Sequence, residues 1–286
     1  MSTDSRSGPA VLPNDAAEAK RRKRLKSATG VPYPTGYWAF RGMIFNLSRL
    51  FQKSILVHGE RIPQPGGVNY RPKWYQRNRL SMIDFHAFII AANHGSMLDI
   101  TFIGMFRRGL VWVCKPFFCM HPLAAIVDQR MGAVPLFRPG KDDDPEKNSP
   151  ERIAQIREVC YTPAEAVEVT VAALKRGMAA IVFPEGTRRS HTDVRETKNG
   201  LARMARRSGC PILPLAIVGC AKGDPEVRTR WLRRRIVVGV AGNLIYPSDF
   251  DQLGSMKEID AAIMAAWQEQ LNPLRVEGLA CLESHR

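Results

Sequence analysis

Six short apolar runs recur along this chain, at residues 88–92, 111–114, 133–137, 179–183, 212–218 and 236–240. Runs of four to seven such residues are too short for buried helices and fit strands. Between them lie stretches with helical character, for example Val167 to Lys175 and Leu201 to Arg207. That alternation predicts an α/β fold: a mixed, largely parallel sheet flanked by helices. Met256 to Leu271 reads as a C-terminal helix, with Ile259, Ile263 and Trp267 on one face. The 286 residues suffice for one such domain and a tail.

The first segments differ from the rest. Residues 1–35 are rich in Ser, Pro and charge and predict a disordered basic tail. Within it Lys20-Arg21-Arg22-Lys23-Arg24-Leu25-Lys26 is a polybasic cluster, a pattern shared by nuclear signals, nucleic-acid arms and anchors to acidic lipid. Residues 36–54 predict an amphipathic helix, with Tyr37, Phe40, Ile44, Leu47 and Phe51 along one face. A basic amphipathic helix beside a basic cluster suits a membrane-surface anchor; the plainer alternative is a helix packed on the core. Residues 55–286 are left for the main domain. No apolar run reaches the roughly 18–20 residues that span a bilayer, and no signal-peptide core is present. The expected location is peripheral, on the cytoplasmic face of a membrane.

The net charge is +15. Nucleic acid, an anionic membrane surface, and an acidic substrate or carrier would all suit it. No zinc-finger spacing or aromatic RNA-binding signature appears, so nucleic acid is not an expected partner. The six cysteines, Cys114, Cys119, Cys160, Cys210, Cys220 and Cys281, show no metal-ligand spacing. They read as reduced thiols, mostly in the core.

Two polar turns follow apolar runs and carry the chemistry. The first is Asn93-His94-Gly95-Ser96-Met97-Leu98-Asp99. A neutral His94 can take a proton from a hydroxyl, and a carboxylate on its other ring nitrogen would fix its tautomer. Within one helix, five residues would leave the two side chains roughly 140° apart. They meet only if His94 lies in the loop leaving the strand and Asp99 in the first helical turn. Ser96 suits the N-cap of that helix. Ser96 and Asp99 also fit a Ser-x-x-acid capping pattern, so a capped helix start with a loop histidine beside it competes with catalysis. The second turn is Glu185-Gly186-Thr187-Arg188, after the run 179–183 and Pro184. Arg188 offers a planar fork suited to phosphate, but a solvated arginine on an ordinary turn has the same sequence.

In order, four blocks resemble those of the 1-acylglycerol-3-phosphate acyltransferase family. Asn93 to Asp99 resembles its His-x4-Asp block, Gly132-Ala133-Val134-Pro135-Leu136-Phe137-Arg138 its second block, and Phe183-Pro184-Glu185-Gly186-Thr187-Arg188 its third. Pro211-Ile212-Leu213-Pro214-Leu215-Ala216-Ile217 resembles the fourth, a strand with a central proline. The likeness covers roughly residues 55–245. It implies one acyltransferase domain, with His94 as general base and Asp99 as its orienter. It further implies that Lys115, Arg138 and Arg188 hold the acceptor phosphate, and that Glu185, Gly186 and Thr187 shape the acceptor pocket.

The implied reaction moves an acyl group from acyl-coenzyme A or acyl carrier protein, as co-substrate, to the free hydroxyl of 1-acyl-sn-glycerol 3-phosphate. Phosphatidic acid for phospholipid synthesis would result. Neither metal nor resident cofactor is called for. Backbone N–H groups near Ser96 are expected to stabilise the oxyanion. Arg189 stands where the family often has serine, Thr197 stands where a phenylalanine is common before the lysine at Lys198, and two polar stretches, residues 69–79 and 139–163, are added. These departures bear on the acceptor: another lysophospholipid, a lyso-aminolipid or glycerol 3-phosphate is the alternative. An inert membrane-binding protein on the same fold is the alternative of a different class.

Overall fold

The computed structural model describes residues 47–63, 87–96, 98–106, 110–116, 132–186, 199–230 and 232–286. Its strands are β1 (Gln52–Val57), β2 (Ile89–Ala92), β3 (Leu110–Cys114), β4 (Ala133–Pro135), β5 (Ala179–Val182), β6 (Ile212–Val218) and β7 (Arg235–Ala241). Its helices are α1 (Leu98–Phe106), α2 (Pro150–Val159), α3 (Pro163–Lys175), α4 (Gly200–Ser208) and α5 (Met256–Glu283). All seven strands form one sheet, in the order β1-β7-β6-β2-β5-β3-β4.

Strands β6, β2, β5, β3 and β4 run parallel to one another. β7 runs antiparallel to β6, and β1 runs parallel to β7. The carboxyl ends of the five parallel strands therefore share one edge with the first residues of β1 and β7. In open α/β sheets, the crevice beyond the carboxyl ends of the strands is where ligands bind.

Both faces of the sheet are covered, which is why the strands read as continuous apolar runs. Ile89, Ala91, Ala180, Val182, Ile212 and Val238 face the core made with α3, α4 and α5. Phe88, Ile90, Ile181, Leu213, Ile217 and Val237 face the core that includes Ile100, Phe102 and Ile103 of α1. Phe102 lies where β7 has no side chain: a Cβ on Gly239 would come within 2.3 Å of its ring. Trp267 of α5 is fully buried, and its indole N–H donates to the Ala91 carbonyl at 2.9 Å. Burying a side chain of that size stabilises by roughly 2–3 kcal/mol, so α5 is tied directly to the strand that ends at the site.

Pro214 sits in a central strand because the pairing beside it is interrupted. The β6–β7 ladder stops at Leu215↔Ala241, and the next bridge is Ile212↔Ile245. Two residues of β6 thus face three of the other segment, and the Pro214 carbonyl takes the N–H of Gly242 at 2.9 Å. The missing proline N–H falls in a bulge, where a sheet tolerates it.

The mixed, mostly parallel sheet is the one expected, and all six apolar runs are strands. Two boundaries differ. Of the helix expected over residues 36–54, only 47–54 lie within the described residues; 47–51 are helical and β1 begins at Gln52. The alternation of Ile55 and Val57 against one core and Leu56 against the other makes this segment a strand. The expected disordered tail, 1–35, lies outside the described residues. α5 does not stop at Leu271 but runs through Pro273 to Glu283. Pro273 and Glu269 are both exposed, so the carbonyl deprived of its N–H partner faces solvent while Leu271, Leu274 and Leu282 continue the buried stripe. The polar stretch 139–163 holds α2, capped by Ser149 and opened by Pro150, with Ile156 its buried side chain.

Candidate active site

The loop between β2 and α1 is built around one carboxylate. Asp99, in the first turn of α1, is fully buried. Its Oδ2 accepts from Nδ1 of His94 at 2.9 Å, from the Gly95 N–H at 2.8 Å and from the Ser96 N–H at 2.9 Å. Since that oxygen already takes two amide hydrogens, it meets the imidazole as an acceptor. Nδ1 therefore carries the ring hydrogen, and Nε2 is left with its lone pair. The helix-capping and catalytic readings of this loop are thus not alternatives, because one oxygen does both. Ser96 completes the cap, its hydroxyl accepting from the Leu98 N–H at 3.2 Å.

The N–H groups of Gly95, Ser96 and Leu98 all have acceptors within the loop. Those three are not available to an oxyanion, and Met97, the remaining residue of this helix start, lies outside the described residues.

His94 is held through its ring and through its backbone. The imidazole stacks on Phe183, centroids 4.1 Å apart, and the His94 backbone N–H donates to Oε2 of Glu185 at 3.3 Å. Phe183 and Glu185 follow β5, so the third sequence block braces the first across neighbouring strands. The imidazole retains 12% exposure, and its engaged nitrogen is Nδ1.

β6 supplies a backing for the loop. The Asn93 amide donates to the Ile217 carbonyl at 2.8 Å and accepts from its N–H at 2.7 Å. Beyond β6 the chain turns at Gly219, which has φ of +92°, and Asp224 collects the N–H groups of Gly219, Cys220 and Ala221. Ala221 then lies against Gly95 so closely that a Cβ there would come within 2.3 Å of the Ala221 Cβ. Gly95 is required by this approach.

Cys220 is the residue that sequence reasoning missed. Its thiol donates to Oδ1 of Asp99 at 2.8 Å, occupying the oxygen that His94 does not use. Burial pushes this thiol far above the ordinary range, the Asp99 and Asp224 carboxylates add to the effect, and Arg235 opposes it. It is a fixed hydrogen-bond donor. Nothing in its sequence setting separates it from a core thiol. Among the described residues, Cys114, Cys160, Cys210, Cys220 and Cys281 form no disulfide.

A family model described as Acyltransferase matches residues 54–218, more than half of the chain. The chain belongs to the acyltransferase family. Among similar members, a chloroplastic 1-acyl-sn-glycerol-3-phosphate acyltransferase of Brassica napus is 24% identical over 165 residues, covering 58% of this chain and 42% of that protein. A chloroplastic 1-acyl-sn-glycerol-3-phosphate acyltransferase of Arabidopsis thaliana is 24% identical over 137 residues, 48% of this chain and 33% of its own length. The chain spans less than half the length of these curated relatives. The fold is similar to the crystal structure of the 1-acyl-sn-glycerophosphate acyltransferase from Thermotoga maritima, with a TM-score of 0.50 at 20% identity, covering 96% of this chain and 86% of that one.

In this member of the acyltransferase family the remaining residues singled out in the sequence are spread along the same sheet edge. Gly186 takes φ of +67° in the turn after β5. Lys115 directly follows β3, two strands from β2 and thus about 10 Å across the sheet. Arg138 follows β4, one strand further, and its guanidinium is engaged by the buried Asp142, which also accepts the Arg138 N–H at 2.7 Å. Thr187 and Arg188 lie outside the described residues, as do residues 69–79. Among the described residues, no group of three or more His, Cys, Asp or Glu is placed to hold a metal ion, and no helix is long and apolar enough to cross a membrane.

Proposed function

We propose that this protein transfers a fatty acyl group from an acyl thioester, acyl-coenzyme A or acyl carrier protein, to the free hydroxyl of 1-acyl-sn-glycerol 3-phosphate. The observation that carries the reading is the His94–Asp99 pair at the carboxyl edge of the sheet, with its carboxylate buried and Nδ1 of the imidazole bonded to it. Family membership and the names of the relatives support the reaction class.

In the proposed mechanism Nε2 of His94 takes the hydroxyl proton as the oxygen attacks the thioester carbonyl carbon. Asp99 stabilises the imidazolium across the Nδ1 hydrogen bond. The tetrahedral intermediate collapses, the carbon–sulfur bond breaks, and the departing thiolate takes the proton from His94. Arg188 and Lys115 hold the acceptor phosphate as a clamp. Arg138 contributes less, because Asp142 already holds its guanidinium. Serine attack plays no part, since the Ser96 hydroxyl caps α1. The enzyme works peripherally on an anionic membrane, from which it draws its lysophospholipid.

The test is thiol release from acyl-coenzyme A in mixed micelles, with 1-acyl-sn-glycerol 3-phosphate, glycerol 3-phosphate and other lysophospholipids as acceptors. Turnover is expected with the first and is abolished in His94→Ala. Turnover only with another acceptor would keep the chemistry and replace the substrate. Lipid binding without turnover, with any acceptor or donor, would favour the inert binding protein.

A further inference from the structure

The segment before β7 forms a hairpin arm. Arg228 bridges Arg235, the Thr229 N–H donates to the Arg234 carbonyl at 2.8 Å, and the Ile236 N–H donates to the Val227 carbonyl at 2.8 Å. Arg233 takes a positive φ of 45° at the turn, and the Arg228 guanidinium reaches its carbonyl at 2.9 Å. Near the tip Arg230 and Arg233 are exposed, and Leu232 is 67% exposed. The arm is joined to the helical residues ahead of β1, because Arg234 donates to the Arg49 carbonyl at 3.1 Å. There Leu47, Leu50 and Phe51 are 51%, 62% and 66% exposed.

Half of the large apolar side chains exposed among the described residues thus fall in these two adjoining segments, interleaved with arginine. Both segments lead into strands whose first residues share the sheet edge with His94. β7 is two strands from β2, about 10 Å away.

We propose that residues 227–230 and 232–236 of the hairpin arm, together with the helical residues 47–51, are a docking surface for an anionic lipid bilayer, set so that the His94 edge faces the membrane. Guanidinium groups bind lipid phosphate while leucine and phenylalanine side chains enter the headgroup boundary. An acidic carrier protein would match the arginines but would leave four large apolar side chains without a use, so the bilayer fits better. The inference rests on the lysophospholipid reading for its purpose and not for its test.

The test is vesicle sedimentation with the full chain, using equimolar phosphatidylcholine and phosphatidylglycerol, with phosphatidylcholine alone as the neutral control. Each basic side chain near an anionic surface contributes about fivefold to binding, so Arg230→Gln with Arg233→Gln is expected to weaken binding about 25-fold. Leu232→Asp is expected to weaken it about tenfold. Lys175→Gln, an exposed charge at the end of α3 on the opposite sheet edge, is expected to change nothing. The single Arg230→Gln variant, with its fivefold effect, decides the matter if the double variant does not fold.

Binding by the hairpin variants equal to wild type, or an equal loss in Lys175→Gln, would overturn the proposal. So would intact vesicle binding with selective loss of turnover from an acyl carrier protein donor. Hairpin-dependent binding by a protein without acyl-transfer activity would keep this surface and reject the enzymatic reading. Activity with hairpin-independent binding would do the reverse.

Discussion

Replacing Asp99 by asparagine removes a charge while leaving the shape of the loop nearly intact. Oδ2 of Asp99 faces three N–H donors: the imidazole Nδ1 and the backbone amides of Gly95 and Ser96. In the variant only the amide oxygen of asparagine suits that position, because the NH2 group would face donors. Its NH2 then turns towards Sγ of Cys220. The His94 tautomer survives, and the negative charge 2.9 Å from the ring is lost. Two unit charges centred about 4 Å apart interact by about 4 kcal/mol at an effective dielectric constant near 20. That interaction exists only when the imidazolium has formed, so it belongs to the transition state and not to substrate binding. About 4 kcal/mol corresponds to about a 10³-fold loss of kcat, with KM little changed. Asp99→Ala leaves the Gly95 and Ser96 amides without their acceptor and adds a stability cost of roughly 1–3 kcal/mol. The assay is initial-rate thiol release over a range of acceptor concentrations, with denaturant unfolding run in parallel. Asp99→Asn retaining a tenth or more of wild-type kcat, or losing activity through KM alone, would refute this account of the pair.

Cys220→Ala frees Oδ1 of Asp99 and is expected to lower kcat roughly 3- to 10-fold without changing KM, while Cys220→Ser, which keeps a donor, restores most of it. Gly95→Ala drives a methyl group into Ala221 and is expected to abolish turnover, since its nearest backbone neighbour, the Ala221 Cα, is 2.8 Å away; residual activity above a few per cent, an order-of-magnitude threshold, would show that the loop yields. Cys210 and Cys220 both have thiols raised by burial. A group that holds its proton more tightly when folded gives stability that is complete below the unfolded-state pKa and declines above it. Unfolding free energy is therefore expected to fall above about pH 8.5, by up to about 1.4 kcal/mol per pH unit for the buried Cys220 thiol and by less for the partly exposed Cys210. Cys220→Ser, whose hydroxyl does not titrate there, should flatten that decline in a pH series of denaturant melts.

The parts of the fold legible in the sequence are those set by burial on both faces. Strands β2 to β7 carry unbroken apolar runs, and the turn after β2 had to bring His94 and Asp99 together because no single helix can. β1 was hidden because Lys53 and Ser54 are polar and because the helical spacing of the preceding residues runs into it. The far half of α5 was hidden behind Pro273, whose exposed position made it harmless. In the site, the first and third blocks identified the residues that meet, but not how they meet. Phe183 stacks on His94, and Glu185 reaches its backbone. Cys220 lies 121 positions from Asp99 and reaches it only because β6 and β2 are neighbours, an adjacency that no local pattern encodes. Arg138 presents the opposite case: its block was visible, whereas the buried Asp142 that holds it looked like one acid in a polar run.

The reaction is read out by following the acyl group itself. Purified protein is given deuterated acyl-coenzyme A and 1-acyl-sn-glycerol 3-phosphate on anionic micelles, and the lipids are resolved by mass spectrometry. Phosphatidic acid carrying one deuterated chain is expected from the wild type and none from His94→Ala of equal stability. Labelled phosphatidic acid formed at comparable rates by both proteins would contradict the role given to His94.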